Sequence, residues 1–433
     1  MKALILDGSQ NGDRIAEQAC AALTAELAAR QTEVERIRIV DKTIAPCMGD
    51  FFCWIKTPGV CNLDDDNREI ACAIVHADLI IYLTPITFGG YSSELKRPMD
   101  HIVQTVSPFF EMVDGEVHHR RRYKHYPRLL AIGWQPEADP VSEAIFHHLV
   151  YRNGLNMQAA NMVSGVLHDS DTAEQIGHAV SGWLSSVMLP RAKKGPELPQ
   201  PTVQSGEFAP PRRALLLIGS PRGKTSSSQS LGGYLFERLA ERGIQTETIR
   251  LQTVLRSPER QMALLRAAAE ADLIVLAAPL YVDSLPAQTI RMLEMLVDGP
   301  AHRDASHPQR FAAIINCGFP ESNHNQTALA ICSQFAREAG YSWAGGLSLG
   351  AGQGIVHGAP LAESGNQTRS IRRSLDIAAE ALAAGLAIPP ESVTIMAKPV
   401  IPAWLYLLMG GIGWRQQARK YGVQKQLDAR PYA

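Results

Sequence analysis

At 433 residues the chain is too long for one ordinary core, so two or three domains are expected. Hydrophobic residues make up 45% and charged residues 20%, the balance of a soluble globular protein, and Lys+Arg (42) offsets Asp+Glu (43), so no net field recruits nucleic acid or anionic lipid. Seven cysteines are odd in number and sparse, which suits a reducing compartment and makes the cytoplasm the simplest home.

The chain opens on MKALILDGSQ, where only Lys2 precedes a four-residue apolar run, far short of a signal peptide's core. ALILD reads as a buried strand that enters a Gly-Ser loop, Gly8 to Arg14, and then a helix. Next comes APCMGDFFCWIKTPGVC, residues 45–61. Its Cys47, Asp50, Cys53 and Cys61 have the look of a four-ligand iron–sulfur motif with one thiolate replaced by a carboxylate. A second buried strand follows in ADLIIYLTPITFGG (77–90), and a third in LLAIGWQP (129–136). Between them lies VDGEVHHRRRYKHYP (113–127), where Arg120, Arg121, Arg122 and Lys124 interleave with histidines and tyrosines. That segment reads either as a lid for the phosphates of NADPH or as a solvated charged loop.

RAKKGPELPQPTVQSGEFAPPRR is dense in Pro, Gly and polar residues and reads as a linker. Beyond it the first pattern returns. ALLLIGSPRGKTSSS repeats ALILDGSQNG, ADLIVLAAPLYVDS (271–284) repeats residues 77–90, and AAIINCGFP (312–320) stands beside 129–136. Short Ile, Leu and Val runs separated by helical stretches are the pattern of a parallel sheet covered on both faces. Leu231, Leu235 and Leu239 share one face of the helix after the second Gly-Ser loop, and Gly243 suits its end. The expected fold is α/β, with two tandem doubly wound parallel-sheet domains at 1–190 and 212–388, a linker at 191–211 and a helical tail at 389–433. The tail's apolar run, Ala403 to Trp414, is too short to span a bilayer, which needs about 20 residues. It is expected to pack against the other domain or to lie on a membrane surface.

In open parallel sheets, ligands bind at the carboxyl ends of strands where strand order reverses. All three repeated loops fall there. Ser220, Arg222, Lys224, Thr225, Ser226, Ser227 and Ser228 offer hydroxyls and cations at a helix start, which together suit a phosphate. A nucleotide P-loop needs four residues between its glycines, and Gly219 and Gly223 leave three. Pro279, Leu280, Tyr281, Val282 and Asp283 offer an aromatic and backbone donors to a flat ring, with Asn316, Cys317 and Gly318 closing the other side. Pro85, Ile86, Thr87, Phe88 and Gly89 are the first half's counterparts of that ring loop. A phosphate cradle beside a slot for a flat ring indicates a mononucleotide cofactor, and FMN is the best candidate.

These motifs resemble the flavodoxin-like, NAD(P)H-dependent FMN reductase family, in both halves of the chain. GSPRGKTSSS, PLYVDSLP and NCGFPE carry the resemblance in the second half, and DGSQNG, TPITFGGYSSELKRPMD and the cysteine loop carry it in the first. It implies a flavodoxin-like fold, FMN bound by these three loops, and hydride passed from NAD(P)H through the flavin to an acceptor. The cysteine loop is similar to that of the family's iron–sulfur flavoproteins, with Asp50 where a ligand cysteine would stand. A hard carboxylate replaces a soft thiolate poorly, which argues against a bound cluster, or zinc, and no metal ligand is assigned.

In the first half the phosphate loop offers Ser9 as its one hydroxyl and carries Asp13, which repels a phosphate unless Arg14 offsets it. FMN is therefore assigned to the second half. The first half is left as a weak FMN site, a site for a substrate's ring, or a built-in dimer partner. The expected function is an FMN-dependent NAD(P)H oxidoreductase that acts on a small-molecule acceptor such as a quinone, a nitro compound or a flavin. It would have no nucleic-acid partner and no transmembrane segment, with further homo-oligomerisation left open. A flavodoxin-like electron-transfer protein or iron–sulfur flavoprotein with a protein partner, and a non-catalytic flavin-binding scaffold, are the alternatives. Because the cofactor carries the chemistry, no acid–base residue is assigned.

Overall fold

The computed structural model describes residues 1–192, 194–203, 208–299, 308–356 and 358–433. Within the expected linker, 191–211, residue 193 and residues 204–207 lie outside the described residues. The chain forms two compact units, Met1–Pro199 with Trp404–Ala433, and Gln200–Ala403.

The first unit is built on β1 (Lys2–Asp7), β2 (Glu33–Arg38), β3 (Leu79–Thr87), β4 (Gly90–Tyr91), β5 (Val106–Val113), β6 (Glu116–Arg121), β7 (Arg128–Gln135) and β8 (Met162–His168). Five of these run parallel in the order β2-β1-β3-β7-β8, while β4 folds back antiparallel on β3. That is the flavodoxin-like order, which reverses between β1 and β3. Strand alternation divides the core. Ala3, Ile5, Ile81, Leu130 and Ile132 face helices Arg14–Ala29 and Ala173–Val187, which contribute Leu23, Leu27, Val180 and Leu184. On the other face, Gly133 admits helix Pro140–Asn156 so closely that an added Cβ would lie 2.8 Å from the Phe146 ring.

The second unit repeats the plan with β9 (Arg213–Ile218), β10 (Gln245–Arg250), β11 (Leu273–Pro279), β12 (Arg310–Asn316) and β13 (Ser342–Leu349), parallel in the order β10-β9-β11-β12-β13. Leu231, Leu235 and Leu239 of helix Ser227–Ala240 are all fully buried, and Gly232 lets the helix approach Leu216 and Ala277. The helix stops at Ala240, and Gly243, at φ +82°, completes the reversal that follows.

Residues 113–127 hold the end of β5, the turn, all of β6 and the segment after it, and Arg120, Arg121 and Lys124 are exposed as the solvated reading expects. Arg122 is buried, and its guanidinium donates to the carbonyls of Val106, Leu427 and Ala429. Three carbonyls thus hold one cation that burial alone would disfavour. The same tail sets Trp414 edge-on against Trp54 (centroids 5.1 Å) and Phe51 (5.3 Å), and buries Ala418 and Leu427 over the cysteine loop.

Two outcomes follow. Gly133→Ala forces a methyl within 2.6 Å of Ile86 Cγ1 and should cost about 1–3 kcal/mol, whereas Gly177→Ala meets nothing within 4 Å and should stabilise by about 0.5–1 kcal/mol. Urea midpoints of the two variants should move in opposite directions. Cutting the chain between Pro199 and Pro210 should leave the fragments associated, because the second fragment still carries Trp404–Ala433. A built-in dimer predicts co-elution at micromolar concentration even when the second fragment stops at Ala403. Separation of those shortened halves would leave the tail as the tie.

Candidate functional site

Each unit brings its Gly-Ser loop and its ring loop together at the point where strand order reverses, and the same close approach holds them there. A Cβ on Gly219 would lie 2.7 Å from Thr289 Oγ1, and a Cβ on Gly8 would lie 2.8 Å from Leu95 Cβ. Thr289 and Leu95 occupy equivalent places in the helices after β11 and β3. The ring loops match as well. Each turns through two consecutive residues with positive φ, Val282 (51°) and Asp283 (57°) in the second unit, Phe88 (55°) and Gly89 (76°) in the first. Tyr281 and Ser284 exchange backbone hydrogen bonds across the turn at 2.8 and 3.2 Å. This is the two-residue hairpin geometry that normally selects Gly or Asn, so a β-branched Val282 there stores backbone strain.

In the second unit the loops lock to one another. Asn316, at the end of β12, donates to Ser228 Oγ (3.0 Å) and to the Ala278 carbonyl (3.1 Å), and its own carbonyl accepts from Leu280 N–H (2.8 Å). Ser226 caps helix Ser227–Ala240, accepting from Gln229 N–H (3.1 Å) while donating to the Gly223 carbonyl (2.8 Å). Ser227 Oγ donates to the Gly352 carbonyl, and Ser220 Oγ accepts from Arg222 N–H at 3.3 Å. Much of the hydroxyl-rich run is therefore internal framework. Arg222, Lys224 and Thr225 are exposed. Among the described residues, no carboxylate accepts from this loop or from its two cations.

Pro279, Leu280, Tyr281 and Val282 form a half-buried ledge, while Asp283 is buried beneath it. Gly318 is exposed on the third loop, and Cys317 is buried beside it with its thiol pushed up to about 12 by burial. Pairing of Pro279 with Asn316 and of Pro85 with Trp134 makes Trp134 the first unit's counterpart of Asn316.

The first unit fills the same positions with its own groups. Asp7, fully buried at the end of β1, accepts from Ser9 N–H (2.9 Å) and from Arg36 Nε (3.0 Å). Asp13 caps helix Arg14–Ala29, accepting from Ala16 N–H (3.1 Å), and also takes the Trp134 indole N–H (2.8 Å). Arg14 donates to the carbonyls of Asp169 and Asp171 and so turns away from the loop. Phe88 is buried, so of the two aromatics expected to face a flat ring it is Tyr281 that reaches the surface. Pro85, Ile86 and Thr87 are half-buried, and Ser9 and Gly89 are buried. Asp7 and Trp134 were not marked by sequence. The one signal was Asp7 itself, a charge ending an apolar run where the second copy has Ile218.

The cysteine loop uses Asp50 locally. Its carboxylate accepts from Phe52 N–H (3.0 Å) across Phe51, which sits at φ +59°. His101 Nε2 lies 2.8 Å from the Ala45 carbonyl, to which it donates, and Nδ1 lies 3.5 Å from Cys61 Sγ. Burial first, then Cys47, Cys61 and Asp50, raises the Cys53 thiol well above its ordinary value. Among the described residues, no group of three or more His, Cys, Asp or Glu is arranged to hold a metal ion.

Comparison with known proteins agrees with this duplicated plan. The family model for NADPH-dependent FMN reductase matches residues 1–164 and again 212–340, more than half of the chain. The chain belongs to that family. An iron–sulfur flavoprotein of Methanocaldococcus jannaschii is 43% identical over 68 residues, 16% of this chain, and the chain spans about a third (34%) of that relative's length. Among solved structures, the NAD(P)H:quinone oxidoreductase of Methanothermobacter marburgensis is 13% identical, covering 42% of this chain and 96% of its own at a TM-score of 0.33. An FMN-dependent NADH-azoreductase of Bacillus anthracis is 12% identical, covering 40% and 99% at a TM-score of 0.29.

The thiols give a pH test. Burial pushes Cys47 and Cys317 up to about 12, so above pH ~9 the unfolded chain releases protons that the folded chain keeps. Their contribution to stability is full below pH ~9 and is lost as the pH climbs toward 12. Iodoacetamide at pH ~8.5 should leave Cys317 unmodified in the native protein and alkylate it in urea. Rapid native labelling would contradict the buried, protonated thiol.

Proposed function

We propose that the protein is an FMN-dependent NAD(P)H oxidoreductase whose cofactor sits in the second unit and whose acceptor is a small molecule such as a quinone, a nitro compound or a flavin. The observation that carries this reading is the contrast between the two helix starts. In the second unit two exposed cations and the helix N-terminus face no carboxylate among the described residues, whereas in the first unit Asp7 and Asp13 already occupy the donors. A dianionic phosphate is favoured at the first of these and opposed at the second.

In this reading Arg222 and Lys224 hold the phosphate, and Pro279 to Val282 lie beside the ring with their backbone groups. Asn316 fixes the spacing between the two loops. When bound, FMN supplies the two-electron chemistry, accepting hydride from NAD(P)H and delivering it to the acceptor. The chain's part is to bind and orient. Asp50, consumed by its own turn, favours a protein without an iron–sulfur cluster.

The test is the visible spectrum of the purified chain, with flavin and iron counted per polypeptide. About one FMN and no stoichiometric iron are expected, together with steady NAD(P)H oxidation when a quinone is supplied. A charge-assisted hydrogen bond contributes about 1.5–3 kcal/mol, so Arg222→Ala with Lys224→Ala should weaken FMN binding by about two powers of ten or more. Ser9→Ala with Asn11→Ala should leave flavin content unchanged. Flavin lost only from the first-unit pair would reverse the assignment, and about four iron and four sulfide per chain would overturn the cluster-free reading.

A further inference from the structure

Helix Ala403–Arg419 has two unlike faces. Tyr406, Gly410 and Trp414 turn toward aromatic rings of the first unit, and Ala418 is buried there. The opposite stripe, spaced at i, i+4 and i+8, leaves Trp404 68% exposed, Leu408 57% and Ile412 49%. A stripe of large exposed apolar side chains on one helix marks an interaction surface rather than scattered surface residues. Arg419 continues the same stripe toward the helix end, exposed, while Arg415 sets its guanidinium over the Phe109 ring at 4.6 Å. Between Glu391 and Asp428 the sequence holds five Lys or Arg residues and no Asp or Glu, although the whole chain carries a net charge of −1.

We propose that this stripe docks the protein onto the surface of an anionic lipid bilayer. Aliphatic side chains and a Trp beside cations suit the boundary between acyl chains and headgroups, and a wholly basic segment is drawn to an anionic leaflet. Two copies apposed through this stripe would bring like charges together with no acid within the segment to offset them. The protein would lie on the bilayer rather than cross it, since no helix among the described residues is long and apolar enough to span one. The inference is independent of where FMN binds.

The experiment is co-sedimentation of the full chain with vesicles of phosphatidylcholine alone and of phosphatidylcholine with phosphatidylglycerol. Binding to the anionic vesicles is expected, with strong weakening as salt rises from about 0.1 to 0.5 M. Trp404→Ser, Leu408→Ser and Ile412→Ser together, or Arg419→Glu with Lys420→Glu, should each lower partitioning about tenfold or more. Unchanged flavin content and an unchanged thermal midpoint would show that the fold is kept. Failure to sediment with anionic vesicles, or equal sedimentation by the variants, would overturn the proposal. So would a lipid-free dimer, seen by analytical ultracentrifugation, that the triple variant abolishes.

Discussion

A helix that starts at the carboxyl edge of a parallel sheet points unpaired N–H groups into the crevice, and those groups must find an acceptor. The two units of this chain meet that demand differently. In the first, the protein answers from within, with the Asp7 and Asp13 carboxylates; Arg36 pairs with Asp7 and offsets it, while Arg14 is drawn onto carbonyls and leaves Asp13 without a cation from the loop. In the second, a single neutral Ser226 caps the helix, and the cations of the loop remain without a carboxylate among the described residues. One helix start is met by carboxylates of the chain itself; the other is met by a neutral hydroxyl beside two exposed cations.

Around that difference the framework stays constant. Gly8 against Leu95 and Gly219 against Thr289 are the same backbone-to-helix approach, each closed to any side chain. The paired positive-φ residues at 88–89 and 282–283 show that the turn geometry persisted while its residues did not. Phe88-Gly89 satisfies that geometry with a glycine; Val282-Asp283 satisfies it against preference. The second unit's turn therefore holds two non-glycine residues at positive φ where the first holds one, Phe88, so more backbone strain is stored beside its loop.

Three strands in each half and the Leu231–Leu235–Leu239 face were legible because buried strands and amphipathic helices leave a period in the sequence, whereas β2, β8, β10 and β13 were not marked and strand order came only with the resemblance. The positions of the three loops followed from the repeat. What was hidden was the use made of each polar residue. Ser226 and Ser228 read equally well as phosphate donors, but hydrogen-bond geometry spends one as a cap and the other on Asn316. Asp7 read as a strand end, and nothing local says that its partner is Arg36, a neighbour across the sheet. Arg122 read as one of a solvated cluster, yet its ligands lie some three hundred residues away, at Leu427 and Ala429. Whole-chain charge balance likewise conceals the basic run between Glu391 and Asp428.

That long-range clamp alters how the molecule is joined. The chain leaves the first unit after Pro199 and re-enters it at Trp404, so the second unit is an insertion with both of its ends tied to one body. The re-entering segment also covers the cysteine loop, where Trp54 donates to the Val103 carbonyl (2.9 Å) and stacks with Phe51 (5.0 Å) beneath Trp414. A loop whose spacing suggests an exposed metal site is thus roofed by aromatic rings and a buried guanidinium, and burial raises its thiols above their ordinary range. The outer face of the helix that roofs it leaves Trp404, Leu408 and Ile412 exposed.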